Sequence, residues 1–329
     1  MAGTPWIDVH GHAGRCFLAG LEDGNPLVAQ LGGPDVATAL SAAHTAGLAA
    51  ITLATVADLL VLSPDATVGL RARRPFRPGE AYADHRRQLD AIGRAVADAG
   101  VSVAVTAQNI ERAVAGGKTA VLVTCEGGDF LEGRLDRLAE AHAAGASALT
   151  LVHYRVNEIG DVQTEPPVHA GLTDFGRAVV TECNRLGMIV DCSHATFATT
   201  LGVLEHSTRP VMISHSHLDH HDRSHPRLLS TEHARAVADA GGLIGAWPSG
   251  VTSTSIGDFA DEVGRLAELV GADHVAIGTD MDANYRPVLR SYEEFAELPA
   301  LLAERGFSES EAGQILGGNA LGLLRRVAG

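Results

Sequence analysis

Short runs of apolar and β-branched residues recur at 6–10, 49–55, 120–125, 148–153, 188–192, 211–214, 243–247 and 275–279. Runs of this length and composition, bounded by turn residues, predict strands. Between them apolar residues recur at helical spacing. Tyr82 to Ala99 carries such a stripe and stops at Gly100, and Leu172 to Leu186 stops at Gly187. Glycine at that position is a helix-ending signal. Ser291-Tyr-Glu-Glu294 and Ser308-Glu-Ser-Glu311 have capping-box spacing and predict two further helix starts. Strands alternating with helices predict a parallel α/β sheet, and eight of them match a (β/α)8 TIM-type barrel better than an open sheet. A ninth run, Val101 to Thr106, has no polar functional end and reads as an accessory strand.

The ends of these runs carry the chemistry. Trp6-Ile-Asp-Val-His10-Gly-His12 opens the series, followed by strands ending in Glu126, His153, His194, His215 and Asp280. In a parallel barrel all strand C-termini share one face, so these side chains are expected to converge at the barrel mouth. His10 and His12 are two residues apart and project from one side of a strand. Glu126 precedes Gly127-Gly128, which lets the backbone bend closely past whatever the carboxylate holds. A carboxylate has two oxygens and is able to bridge two cations. His194 and His215 end consecutive strands, which lie about 4.8 Å apart in a sheet, so their imidazoles are able to share a cation. Nitrogen and oxygen ligands without a thiolate suit Zn²⁺, Mn²⁺, Fe²⁺ or Co²⁺, with Zn²⁺ the default. Two such cations generate a metal-bound hydroxide at neutral pH. Asp280 would shuttle its proton, and His153 would stabilise a developing oxyanion.

Composition bounds the rest. Of 329 residues, 46% are hydrophobic but only 4% aromatic, so a large core has to be built from Ala, Val, Leu and Ile. No repeat, low-complexity tract or linker divides the chain, which reads as a single catalytic domain over 1–329. The net charge of −15 argues against nucleic acid or an anionic membrane as partner. The first strand leaves no room for a signal peptide, and Asp58 interrupts the apolar stretch from Ala46 to Leu62. The expectation is a cytoplasmic enzyme without a membrane span, with a homodimer left open. The four cysteines form no CxxC pair and read as reduced core thiols. Cys125 is expected to face the helices, whereas Cys192 has the parity of His194 and is expected one layer deeper on the same face. Two long connections remain. Residues 58–79 hold Arg71, Arg73, Arg74 and Arg77, and residues 216–230 hold His217, His220, His221, Arg223, His225 and Arg227. Both are expected to be loops that shape the pocket.

The chain resembles the renal (membrane) dipeptidase family of the amidohydrolase superfamily. The resemblance runs nearly end to end, through Asp8-Val-His10-Gly-His12, Gly117-Lys-Thr-Ala-Val, Glu126-Gly-Gly, Leu149-Thr-Leu-Val-His153 and Gly171-Leu-Thr-Asp-Phe-Gly-Arg. It continues through Asn184 to His194, Ser214-His-Ser, His225-Pro-Arg227, Gly278-Thr-Asp280-Met-Asp282 and Gly317-Gly-Asn319. It implies a binuclear Zn²⁺ hydrolase in which Glu126 bridges the metals. His10 and Asp280 would serve the first metal, and His194 and His215 the second. His153 would contact the substrate and Arg227 would grip its terminal carboxylate, which a guanidinium fork suits.

Three positions depart from the family. Its first strand usually reads His-x-Asp, and here His12 stands second, which removes one negative charge from the first metal. Leu228 follows Arg227 where asparagine is usual. The aromatic-rich end of the second strand is replaced by Thr52-Leu-Ala-Thr-Val-Ala. The function expected is metal-dependent hydrolysis of a dipeptide, or a similar small amide bearing a carboxylate. The alternatives are hydrolysis of another amide, a lactone, an ester or a C–C bond, or a metal-binding protein without catalysis.

Overall fold

The computed structural model describes residues 4–21, 31, 33–220, 224–284 and 286–329. His221 and Arg223 of the second long connection lie outside them. The strands are β1 (Trp6–Ile7), β2 (Leu48–Val56), β3 (Leu62–Asp65), β4 (Gly69–Ala72), β5 (Val103–Ala104), β6 (Ala120–Glu126), β7 (Ala146–Thr150), β8 (Ile189–Asp191), β9 (Met212–Ser216), β10 (Leu243–Ala246) and β11 (Val275–Ile277). One sheet runs β1-β2-β6-β7-β8-β9-β10-β11, with every neighbouring pair parallel. A parallel bridge between Asp8 and Ile277 joins the last strand to the first, where Val9 N donates to Ile277 O at 3.0 Å. The result is the eight-stranded TIM-type barrel, closed on itself so that the path has no free edge. β5 pairs only with β6 outside this path, as an accessory strand should.

Alternation along each strand builds two core layers. Ala50, Leu122, Ala148, Ile189, Met212 and Leu243 fill the barrel interior. Their neighbours Ile51, Val123, Leu149, Val190, Ile213 and Ile244 face outward against the helices. Burying each large aliphatic side chain stabilises the fold by about 1.5–3 kcal/mol. Ala320, Leu323 and Leu324 of the helix Asn319–Ala328 join the interior layer and close the end of the barrel opposite the strand termini.

The helix Glu80–Asp98 packs an unusually polar buried face on β2, with Asp84, His85 and Gln88 inside. Gln88 Oε1 accepts from Val56 N at 2.7 Å and Nε2 donates to Val56 O at 2.9 Å, so one side chain satisfies the backbone where β2 ends. Helices begin after Ser291 and Ser308, each capping the N3 amide, and the helix Asp174–Leu186 ends at Gly187 with φ 73°.

Three expectations need correction. β1 covers two residues rather than 6–10, because the register shifts after Trp6 and isolated bridges take over. The 58–79 connection contains the antiparallel hairpin β3–β4, which Pro64 and the arginines hide in the sequence. Cys192 contacts Thr200 on the helix Phe197–His206 and belongs to the outer layer. Its parity with His194 fails because β8 ends at Asp191 and His194 sits at φ +65°. All four cysteines are free and buried. Among the described residues no helix is long and apolar enough to cross a membrane.

Candidate metal centre

The six strand-end residues meet at the barrel mouth around Glu126. His10 Nε2 lies 3.3 Å from Glu126 Oε1, and His12 Nε2 lies 3.3 Å from Oε2. His194 Nε2 and His215 Nε2 approach Oε1 at 3.2 and 3.5 Å, and are 3.1 Å from each other. Asp280 Oδ1 completes the cluster, 3.5 Å from His12 Nε2 and 4.0 Å from His10 Nε2. His10, His12, Glu126, His194 and His215 are at most 2% exposed, and Asp280 is the most open at 8%.

Local backbone explains how these side chains turn inward. Gly127 adopts φ +90°, which favours glycine, and a Cβ at Gly128 would lie 2.2 Å from Ile159 Cδ1. The Gly-Gly pair therefore carries the chain sharply away from Glu126. His194 and Asp280 occupy the left-handed region at φ +65° and +54°, a strained state that surrounding contacts have to hold. Two buried carboxylates supply them. Asp8 accepts from Thr279 N and Oγ1 and from Tyr292 Oη, at 2.9, 2.6 and 3.0 Å, tying β1 to the Asp280 turn. Asp191 accepts from Ser193 N, Ser214 N, Ser214 Oγ and Thr150 Oγ1 at 2.6–2.9 Å, tying the His194 turn to β9. Burial pushes Asp8 up to about 6 despite these donors.

Further contacts orient the rings. His12 Nδ1 lies 3.2 Å from Ala54 O and His215 Nδ1 3.0 Å from Ser214 Oγ, so both present Nε2 to the centre. Asp280 Oδ2 accepts from Trp247 Nε1 at 3.3 Å. Among the described residues the buried Nε2 atoms of His10 and His12 have no hydrogen-bonding partner, since their approaches to Glu126 lack hydrogen-bond geometry. Buried polar atoms left this way are normally satisfied by something bound. Among the described residues three sets have ligand atoms within 4.8 Å of one another: His10, His12 and Asp280; His10, Glu126 and His215; and Glu126, His153 and His194. A nitrogen and oxygen donor set of this kind fits divalent transition cations.

His153 lies beside this cluster, with Nε2 3.5 Å from Glu126 Oε2. Its Nδ1 is held 2.6 Å from Asp58 Oδ1, and Asp58 Oδ2 accepts from Tyr154 N at 3.0 Å. Burial opposes charge on this imidazole, but Asp58 and Glu126 outweigh it and bring His153 up to about 9. Sequence reading missed Asp58 as a functional residue. Its signal was the lone acid that breaks an apolar run.

Arg227 is 1% exposed. It donates to Gln163 Oε1 at 3.0 Å and to His215 O at 3.4 Å, and lies over the Trp247 ring at 5.5 Å. Among the described residues it forms no ion pair, and burial lowers its affinity for the proton. Tyr154, pushed up to about 12 by burial, lies beside it. A cavity of about 550 Å³ opens over the cluster and reaches Arg227, Tyr154, Trp247, Phe17 and the β3–β4 hairpin.

The family model described as membrane dipeptidase (peptidase family M19) matches residues 60–329. Dipeptidase aclJ of Aspergillus oryzae is 31% identical over 280 residues, covering 78% of this chain and 64% of the relative. Dipeptidase tcpJ of Claviceps purpurea is 31% identical over 238 residues, covering 69% and 55%. The chain thus spans somewhat over half the length of these curated relatives. The crystal structure of a metallo peptidase from Rhodobacter sphaeroides, liganded with a phosphinate mimic of L-Ala-D-Ala, superposes with a TM-score of 0.81 at 22% identity. It covers 99% of each chain.

Proposed function

Because this chain belongs to the membrane dipeptidase family, peptidase family M19, we propose that it hydrolyses dipeptides or dipeptide-like amides with a free carboxylate. The observation that carries the reading is the juxtaposition, in one cavity, of a histidine–carboxylate cluster with a buried guanidinium that forms no ion pair among the described residues. Among the described residues no carboxylate lies within ion-pairing distance of this buried cation, Glu126 and Asp280 acting on it only from farther off, and a substrate carboxylate would supply a close partner.

In this reading His10, His12 and Asp280 would hold one divalent cation, His194 and His215 would hold the other, and Glu126 would serve both. Zn²⁺ is the default occupant. Two such cations supply Lewis acidity and a nucleophilic water at neutral pH. Arg227 takes the substrate carboxylate, held in place by Gln163 and Trp247. Asp280, the most open carboxylate of the cluster, accepts the proton of the attacking water and delivers it to the leaving amine. Asp58 fixes His153 through Nδ1, leaving Nε2 to donate to the oxygen that gains charge. The buried walls exclude water and strengthen each of these contacts.

Metal content by mass spectrometry, combined with turnover of a dipeptide panel, tests the proposal. Two metals per chain with cleavage are expected. Two bound metals without cleavage of any dipeptide would favour another amide, lactone or ester, a direction in which His12 and the altered second-strand end point.

A further inference from the structure

The cavity over the cluster has two unlike ends. On the side of His215 lie Arg227 and Trp247. On the side of His12, Phe17 packs edge-on at a centroid separation of 5.1 Å. Phe17, Val56, Leu59 and Leu62 form an apolar cluster separate from both core layers, with Leu70 of β4 packed against it. All five line the same cavity as Arg227, His153 and Asp280. Asp65, the acid of the hairpin, is occupied by Thr67, Arg71 and Arg73 at 2.5–3.1 Å and offers this wall no free charge.

The span between the ends suits two residues. The rings of His215 and His10 lie 4.0 Å apart and those of His10 and His12 5.1 Å, so the path across the cluster is at most about 9 Å, between two and three extended residues. An extended chain advances about 3.3–3.6 Å per residue. A dipeptide whose carboxylate rests on Arg227 and whose amide lies over Glu126 therefore brings its N-terminal side chain to the Phe17 wall. We propose that the substrate's N-terminal residue carries a bulky apolar side chain, packed on Phe17, Leu59, Leu62 and Leu70. This rests on the dipeptidase reading for the position of the carboxylate. Among the described residues Phe17, Leu59, Leu62 and Leu70 offer a charged side chain no polar partner, so it would lose hydration against them without compensation.

The test uses the full metal-loaded chain. Its kcat/KM for Phe-Ala and Leu-Ala is expected to exceed that for Gly-Ala and Asp-Ala by roughly 10- to 100-fold, as burial of one large apolar side chain implies. Phosphinate analogues of Phe-Ala and Gly-Ala, titrated by calorimetry, are expected to bind with the same order of preference. Leu70→Asp, at a half-buried position of the hairpin, is expected to collapse the ratio. Equal or better use of Gly-Ala or Asp-Ala by the wild-type chain would overturn the apolar wall and leave the dipeptidase reading standing. Preferential binding of the Phe-Ala analogue without cleavage of any dipeptide would do the reverse. A Leu70→Asp chain that binds and keeps the full ratio also overturns the proposal. If that variant does not fold, the wild-type ratios decide.

Discussion

Asp58 and His153, 95 positions apart in the chain, form a buried pair with 2.6 Å between Oδ1 and Nδ1. The carboxylate is wholly buried, and its second oxygen is used by Tyr154 N. The imidazole is therefore oriented from behind, with Nε2 directed at Glu126. Loss of a charge-assisted hydrogen bond costs about 1.5–3 kcal/mol. Asp58→Asn is expected to lower kcat about 10- to 100-fold with metal content unchanged. His153→Ala should give a similar loss, and the double variant should be little worse than either single one, because the two act as one unit. Losses that simply add would show that Asp58 does not work through His153.

Glu126 is the shared neighbour of His10, His12, His194 and His215. A neutral amide in its place cannot serve two cations, so Glu126→Gln is expected to lose metal and activity together. Asp280→Asn is expected to cost far more turnover than metal, the outcome that the proposed proton-carrying role requires. Metal analysis beside kcat separates the two roles. Equal loss of metal and rate in the second variant would make Asp280 chiefly a ligand.

Arg227→Ala is expected to lower kcat/KM roughly 10- to 150-fold for substrates with a free carboxylate, the loss of one hydrogen-bonded charge. Substrates with an amidated C-terminus should hardly respond. A uniform drop for both would assign Arg227 to support of the fold around Gln163 and Trp247.

Buried histidines outside the histidine–carboxylate cluster, His85 and His233 among them, make stability depend on pH. Burial lowers His85 to about 3 and His233 to about 4. His85 stacks on Phe130 at 3.7 Å, and His233 Nε2 meets Thr200 Oγ1 at 2.9 Å. The unfolded chain binds these protons near pH 6.5 and the folded chain does not, so stability is full above 6.5 and falls on acidification towards 4. Each group contributes a loss of about 2 kcal/mol between pH 6.5 and 5. His85→Gln should flatten the acid limb of Tm against pH. An unchanged limb would mean that His85 is already protonated in the folded chain.

The alternation of apolar runs and helical stripes was enough to specify a parallel barrel. Strand direction then placed every strand-end residue on one face. Both follow from local periodicity and the right-handed connection rule, which need no knowledge of partners. Thus His10, Glu126 and Asp280 could be expected at one mouth despite lying up to 270 positions apart. What lies beyond the last strand residue escaped that logic. At His194 and Asp280 the backbone enters the left-handed region, so side-chain parity no longer tells direction, and Cys192 was misplaced for that reason. Tertiary structure alone decided that Asp58 backs His153, that Asp8 and Asp191 pin the strained turns, and that Arg227 lies buried without a carboxylate partner among the described residues. It also decided that the β3–β4 hairpin lines the cavity with leucines. These are contacts between residues distant in sequence, fixed by which loops fold over the mouth, and no repeat of two or 3.6 residues encodes them.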